Sequence, residues 1–182
     1  MKEISLNILD IAQNSVKAGA SLIEIKLDED AKTLSFEITD DGCGMTADFL
    51  AKVTDPFTTT RKTRGVGLGL PLLKMEAEMT GGSFEIRSKS EKEHADHGTT
   101  VKAVFMKDSI DFIPLGDIIG TVCILIQGAE NTDFSFEHNV GGKTVSLKTA
   151  DMRQMLGDDV PLSSAEVISW VREYLTECYA EE

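Results

Sequence analysis

Little in this 182-residue chain favours a membrane, a disulfide framework or a nucleic-acid surface. Its three cysteines, Cys43, Cys123 and Cys178, are widely spaced and odd in number, which fits reduced thiols better than covalent staples. The longest apolar run, near Ile118 to Ile126, falls far short of the roughly 20 residues that cross a bilayer, and no charged-then-apolar leader opens the chain. A cytoplasmic protein without a membrane partner is therefore expected. Basic side chains are scarce, with 18 Lys and Arg against 31 Asp and Glu, a net charge of −13. Residues 1–107 carry 17 acidic and 14 basic groups, a net of −3, whereas residues 108–182 carry 14 and 4, a net of −10. So acidic a second segment repels phosphates and disfavours nucleic acid as a partner. Histidines number three. His94 and His97 lie in the polar stretch Lys89 to His97, which reads as an exposed loop, and His138 sits beside a Gly-Gly turn; all three are expected as ordinary surface residues. None stands with cysteines or carboxylates at intervals that would complete a tetrahedral metal site. No internal repeat or low-complexity segment is present, and the length suits one domain, or one domain with an appendage.

What the chain does contain is regular alternation. Ile23, Ile25 and Leu27, then Leu34, Phe36 and Ile38, predict an antiparallel hairpin, and Phe84 and Ile86, then Val101, Ala103 and Phe105, continue the strands. Beyond Lys107, Ile119 to Ile126 reads as a buried strand, while Phe134 to His138 and Lys143 to Leu147 flank Gly141-Gly142 as a hairpin. Thr149 to Leu156 predicts a short helix closed by Gly157, and Ser163-Ser164-Ala165-Glu166 a capping box opening a last helix. On that helix Val167, Trp170, Val171, Tyr174 and Cys178 form one apolar stripe, either a partner-binding face or packing for the appendage's own core.

Three short segments carry chemistry. In Leu9-Asp10-Ile11-Ala12-Gln13-Asn14, helical spacing puts Asp10 and Asn14 on one face, with Leu9, Ala12 and Val16 on another that would anchor the helix. An Asn amide oxygen is a hard ligand suited to Mg²⁺, and a carboxylate one turn away could hold a metal-bound water or accept a proton. Taken alone the pair equally describes a solvated helix face. Asp40-Asp41-Gly42-Cys43-Gly44 ends the first hairpin; a carboxylate there can accept from the exocyclic amine of a base, and Gly42 and Gly44 let backbone approach a ring. Gly65-Val66-Gly67-Leu68-Gly69-Leu70 runs into a helix with Pro71 in its first turn, an arrangement whose NH groups favour phosphate. It is neither a P-loop, since no Gly-Lys-Ser/Thr follows, nor a dinucleotide fingerprint.

Together these segments resemble the ATP-binding domain shared by histidine kinases, DNA gyrase B, heat-shock chaperone ATPases and mismatch-repair ATPases, the GHKL or Bergerat fold. Asp10 to Ser15 resembles its N box, Asp40 to Gly44 its G1 box and Gly65 to Leu70 its G2 box. Asp55-Pro56-Phe57-Thr58-Thr59-Thr60-Arg61 is similar to the histidine-kinase F box, and Gly81-Gly82 and Gly98-Thr99 to the closing elements. The likeness covers about residues 4 to 106. It implies an α+β fold, a two-layer α/β sandwich whose mixed sheet is covered by helices on one face. The ATP-binding domain would span residues 1–107 and a small acidic α+β extension residues 108–182. It further implies that Asn14 coordinates Mg²⁺, that Asp40 binds the adenine amino group, that Gly42 and Gly44 shape the base pocket, and that Gly65, Gly67, Leu68 and Gly69 carry the phosphate lid and helix start. Arg61 would meet the γ-phosphate, although Arg61, Lys62 and Arg64 also read as a basic surface loop. Thr99 would lie beside Asp40 and could hold a water at the base.

Two departures from the family bear on activity. Asp10 stands where the family usually has a Glu acting on the nucleophile, one methylene shorter. The N box also begins almost at Met1, so a preceding phospho-acceptor hairpin is not expected in this sequence. The resemblance therefore points to ATP and Mg²⁺ as ligands and a protein as partner, with two roles open. One is a stand-alone protein kinase or slow ATPase acting in trans, with Asp10 and Arg61 catalytic; the other is a non-catalytic ATP-binding switch that signals through its extension.

Overall fold

The computed structural model describes residues 2–53, 69–157 and 160–180. In chain order these form α1 (Ile4–Lys17), β1 (Leu22–Glu29), β2 (Thr33–Asp40), α2 (Ala47–Val53), α3 (Gly69–Met79), β3 (Ser83–Lys89) and β4 (Gly98–Met106). There follow α4 (Ile118–Gly128), β5 (Asp133–Val140), β6 (Lys143–Lys148), α5 (Thr149–Leu156) and α6 (Ala165–Ala180). The strands make one mixed sheet in the order β3-β4-β2-β1-β5-β6. Every neighbouring pair is antiparallel except β1 and β5, which run parallel with Ile25 beside Phe136. The extension's hairpin thus continues the same sheet. No helix among the described residues is long and apolar enough to cross a membrane.

Alternation decides which face is covered. Ile23, Ile25, Leu27, Leu34, Phe36, Ile38, Val101, Ala103, Phe105, Phe134, Phe136, Val145 and Leu147 are buried under the helices. Each of the Ile, Leu, Val and Phe side chains among them contributes about 1.5–3 kcal/mol on leaving water, and Phe36 and Phe105 stack with centroids 6.3 Å apart. The opposite face carries Glu37, Lys102, Lys26 and Glu137, paired as Lys102–Glu37 at 3.6 Å and Lys26–Glu137 at 3.7 Å. On the covered side α3 packs on α1, α1 on α4 and α4 on α6.

Several sequence expectations need correction. Ile118 to Gly128 is a helix, not a buried strand. An unbroken apolar run carries no period that separates the two, and here Asp117 decides the outcome by accepting from the Gly120 NH at 2.7 Å at the helix start. The anchoring stripe of α1 is Ile4, Ile8, Ile11 and Ala12; Leu9 and Val16 are only partly buried at its margin. The cap of α6 is Ser164, whose hydroxyl accepts from the Val167 NH at 3.4 Å, while the Ser163 hydroxyl donates to Glu130. Its buried face is Val167, Val171 and Leu175, and Trp170 is half exposed, stacked on Tyr174 with centroids 5.2 Å apart. His138 is not a surface residue: it is 1 % exposed. The short helix α2 had no signal in the alternation.

Candidate active site

Strand β2 delivers Asp40 to the end of the sheet, where β4 closes beside it with Thr99 in register. Asp40 is 8 % exposed. Its Oδ1 accepts from the Gly42 NH at 3.0 Å and the Thr99 NH at 3.2 Å, and its Oδ2 accepts from the Ser15 hydroxyl at 2.5 Å. These donors are all neutral, so they fix the carboxylate without cancelling its charge, and its remaining lone pairs can take an amine. The Thr99 hydroxyl is shared with Ser88 at 2.8 Å, and Ser88 also accepts from the Met45 NH at 2.8 Å. The loop after Asp40 is thereby tied to β3 and β4.

Protein packing demands the loop glycines. Gly44 has φ +64°, and a Cβ there would overlap the Lys89 carbonyl oxygen. At Gly42 a Cβ would press on Ala18 at 3.0 Å. These contacts, with backbone and with Ala18, favour glycine apart from the base-pocket role expected from the sequence. Asp41 reaches back to the start of β1. Its carboxylate accepts from the Ser21 NH at 2.8 Å, the Leu22 NH at 2.9 Å and the Ser21 hydroxyl. Burial works against the Asp41 charge, but those hydrogen bonds outweigh it and hold its carboxyl below the usual range.

Helix α1 presents Asp10 and Asn14 one turn apart, both half buried, and neither side chain has a hydrogen-bond partner among the described residues. A Cβ on Gly69, the first residue of α3, would overlap Asp10 Oδ2. The Asp10 carboxylate therefore lies directly against the α3 N-terminus. Asn7, one turn earlier on α1, donates to Glu76 of α3 at 2.8 Å and joins the two helices. Two contacts thus draw the motifs together: Ser15 with Asp40 joins the first to the second, and Asp10 with Gly69 joins the first to the third. Arg61, Gly65, Gly67 and Leu68, with the Asp55 to Arg61 segment, Lys62 and Arg64, lie outside the described residues.

Sequence reasoning gave no role to Ser15, Ser88 or His97. Ser15 follows Asn14 directly, and its position one turn beyond Ile11 on the buried face was the available signal. His97 is half buried, with Nδ1 2.6 Å from the Gly42 carbonyl oxygen, whereas its neighbour His94 is exposed.

Residues 2–109 match the family described as histidine kinase-, DNA gyrase B- and HSP90-like ATPase, and the chain belongs to that family. The sensor protein KdpD of Clostridium acetobutylicum is 38 % identical over an alignment of 94 residues that covers 49 % of this chain and 10 % of KdpD. Sporulation kinase B of Bacillus subtilis is 31 % identical over 101 residues, 56 % of this chain and 22 % of the kinase. The chain thus spans only a small part of these relatives' length. In fold it is similar to the Aquifex aeolicus MutL ATPase domain complexed with ADP, with a TM-score of 0.57 at 14 % identity, covering 97 % of this chain and 70 % of that one. The N-terminal domain of a DNA repair protein gives a TM-score of 0.56, also at 14 % identity, over 81 % and 53 %. The α+β class is the one these folds share. The family match ends at residue 109, whereas the similarity in fold to the MutL ATPase domain covers 97 % of the chain.

Proposed function

We propose that the chain binds Mg-ATP where α1, the Asp40 to Gly44 loop and the start of α3 meet, and that it transfers the γ-phosphoryl group to a protein partner in trans or hydrolyses ATP slowly. The observation that carries this reading is the Ser15–Asp40 hydrogen bond, which sets the buried carboxylate beside the helix that bears Asn14 and Asp10. Asp40 would accept from the adenine amine, Gly42 and Gly44 would hold the base loop, and Thr99 would keep Asp40 oriented through its NH. Gly65, Gly67, Leu68 and Gly69 would meet the phosphates, and Arg61 would meet the γ-phosphate as a permanent cation.

The donors suit Mg²⁺. Asn14 offers one amide oxygen, a hard donor with the Asp10 carboxylate one turn away, which suits an ion completed by phosphates and water. When bound, the ion would neutralise phosphate charge. Asp10 would act on the attacking hydroxyl or water as a base, within the reach its shorter side chain allows.

Calorimetry with ATP and Mg²⁺ tests the pocket. Saturable binding that Asp40→Asn removes supports it, and no binding by a folded wild type overturns it. Asn14→Ala should weaken ATP far more with Mg²⁺ than with EDTA, and Asp10→Asn should abolish turnover while ATP affinity stays within a few-fold.

A second reading, an ATP-binding switch reporting through the extension, is favoured by one bracket of hydrogen bonds. The turn before β1 is held on one side by Asp41. On its other side the Asp133 NH donates to the Ser21 carbonyl at 2.8 Å and Thr132 to the Ala20 carbonyl at 3.0 Å. Asp133 in turn accepts from Thr149 at 2.8 Å and Arg153 at 2.9 Å on α5. Residues 108–182 would then be the reporting module, bound by a protein and not by nucleic acid. A cytoplasmic setting suits both readings, since Cys43, Cys123 and Cys178 are all unpaired. If ATP alters hydrogen exchange in α5, the switch reading gains; if exchange there is unchanged, the bracket transmits nothing.

A further inference from the structure

His138 lies at the opposite end of the sheet from Asp40. The alternation of β5 turns it to the helix-covered side with Phe134 and Phe136, and it stands in register between Leu27 of β1 and Val145 of β6. Its Nδ1 is 2.7 Å from the Tyr179 hydroxyl in the last turn of α6. Its Nε2 is buried without a hydrogen-bond partner. That nitrogen faces Glu29 Oε2 at 3.6 Å, too far for a hydrogen bond. The other Glu29 oxygen already accepts from Lys107 Nζ at 2.7 Å, and Lys107 also donates to the Asp30 carbonyl at 2.9 Å. Lys143 of β6 donates to the Tyr179 carbonyl at 2.8 Å and to that of Cys178 at 3.4 Å. The charged or titratable groups around the ring are therefore Glu29 and Asp28 from β1, Lys107 beyond β4, Lys143 from β6, and Cys178 and Tyr179 from α6.

We propose that His138 is a protonation-sensitive latch for the end of α6: the neutral ring accepts a hydrogen bond from Tyr179 and holds the helix terminus on the sheet, and the protonated ring lets it go. Neutral imidazole with Nδ1 as acceptor carries its hydrogen on Nε2, towards Glu29. A second proton must sit on Nδ1, so the bond persists only if the Tyr179 hydroxyl turns round and accepts, and what loosens the latch is the buried charge itself. The resulting cation would lie among Leu27, Phe136 and Val145 with only a carboxylate already shared with Lys107 to balance it. Burial pulls the His138 pKa down, and Glu29 and Asp28 oppose this without reversing it. Burial also pushes the Tyr179 phenol up, so the hydroxyl remains a donor. Since the docked ring binds protons less readily than a free one, docking is complete above about pH 6.5 and is lost as pH falls through the docked value.

The test uses the full chain, following the His138 ring by NMR and amide exchange at residues 174–180, corrected for the intrinsic rate. The expected result is a His138 midpoint below about 6.5 and protection that falls several-fold from pH 7.5 to pH 5.5, with β1 and β2 unchanged. Tyr179→Phe, which keeps the ring and loses the hydroxyl, should exchange fast at both pH values. His138→Asn, which keeps an acceptor near Nδ1 and does not titrate, should show flat protection. A midpoint above 6.5, flat protection in the wild type, a Tyr179→Phe chain that behaves like it, or the same pH profile in His138→Asn would each overturn the proposal.

Discussion

At the Ser21 end of β1 the buried carboxylate of Asp40 is held by a hydroxyl and two backbone NH groups, whereas at the Glu29 end Glu29 is held by the ammonium of Lys107. Both carboxylates are fixed, but only the first keeps its charge uncompensated by a cation among the described residues. Neutral donors orient a carboxylate and leave it able to bind something else; a lysine orients it and satisfies it. The difference separates the end of the sheet where we propose that nucleotide binds from an end satisfied within the fold, and each substitution below is a way to erase or exaggerate it.

The largest effect is expected from Asp40→Asn. The amide can still accept from the Gly42 and Thr99 NH groups, so the fold should survive. One acceptor and the charge facing the ligand are lost, and ATP affinity should fall by about 30- to 150-fold, or 2–3 kcal/mol. Calorimetry alongside thermal denaturation separates the two: an affinity loss with an unchanged melting point supports the contrast, and an equal loss of both would mean that Asp40 is structural like Glu29.

Next is the loop that Asp40 anchors. Gly44→Ala places a methyl group against the Lys89 carbonyl at a positive φ, and should cost about 1–3 kcal/mol of stability. Gly42→Ala, whose Cβ comes no closer than 3.0 Å to Ala18 and 3.1 Å to Asp40 Oδ1, should cost less. Urea denaturation gives both values, and a reversed order would show that Ala18 cannot yield.

Much of this contrast was legible in the sequence. Asp10 to Ser15 and Asp40 to Gly44 are contiguous motifs, and the strands alternate with a strict period of two, so the residues gathered at the proposed binding end could be read locally. The structural end could not, because it is assembled from β1, the residues after β4, β5 and α6. The parallel pairing of β1 with β5 joins residues more than 100 positions apart, and no local signal specifies it. His138 did carry a signal, since Phe134, Phe136 and His138 share one face, but its neighbouring Gly-Gly turn drew the reading towards the surface. The apolar run at Ile118 misled for the opposite reason: its composition was plain and its period was not, and the cap at Asp117 was the informative residue.

Lys107→Met sharpens the structural end. With its cation gone, Glu29 is free to pair with His138, so the His138 pKa should rise from its lowered position. The stability that the wild type loses as pH falls below about 6.5 should then be lost less, because folding with neutral His138 is what makes acid unfavourable. The melting point of both chains from pH 7.5 to pH 5.5 measures this. Parallel curves would mean that Lys107 and His138 do not compete for Glu29.

The smallest effect is expected midway along β1, on the open face. Lys26 and Glu137 bridge the parallel β1–β5 junction at 3.7 Å, but their side chains are 53 % and 43 % exposed. Water and salt screen such a pair, and holding two long side chains together costs rotamer freedom, so Lys26→Met should change stability by about 0–1 kcal/mol. The junction should instead depend on the covered side, where Ile25 meets Phe136 in register. Denaturation of Lys26→Met beside Phe136→Ala compares the two faces directly, with about 3–5 kcal/mol expected for the aromatic truncation. A Lys26→Met loss approaching that of Phe136→Ala would mean that charge, and not the apolar layer beneath the helices, joins β5 to β1.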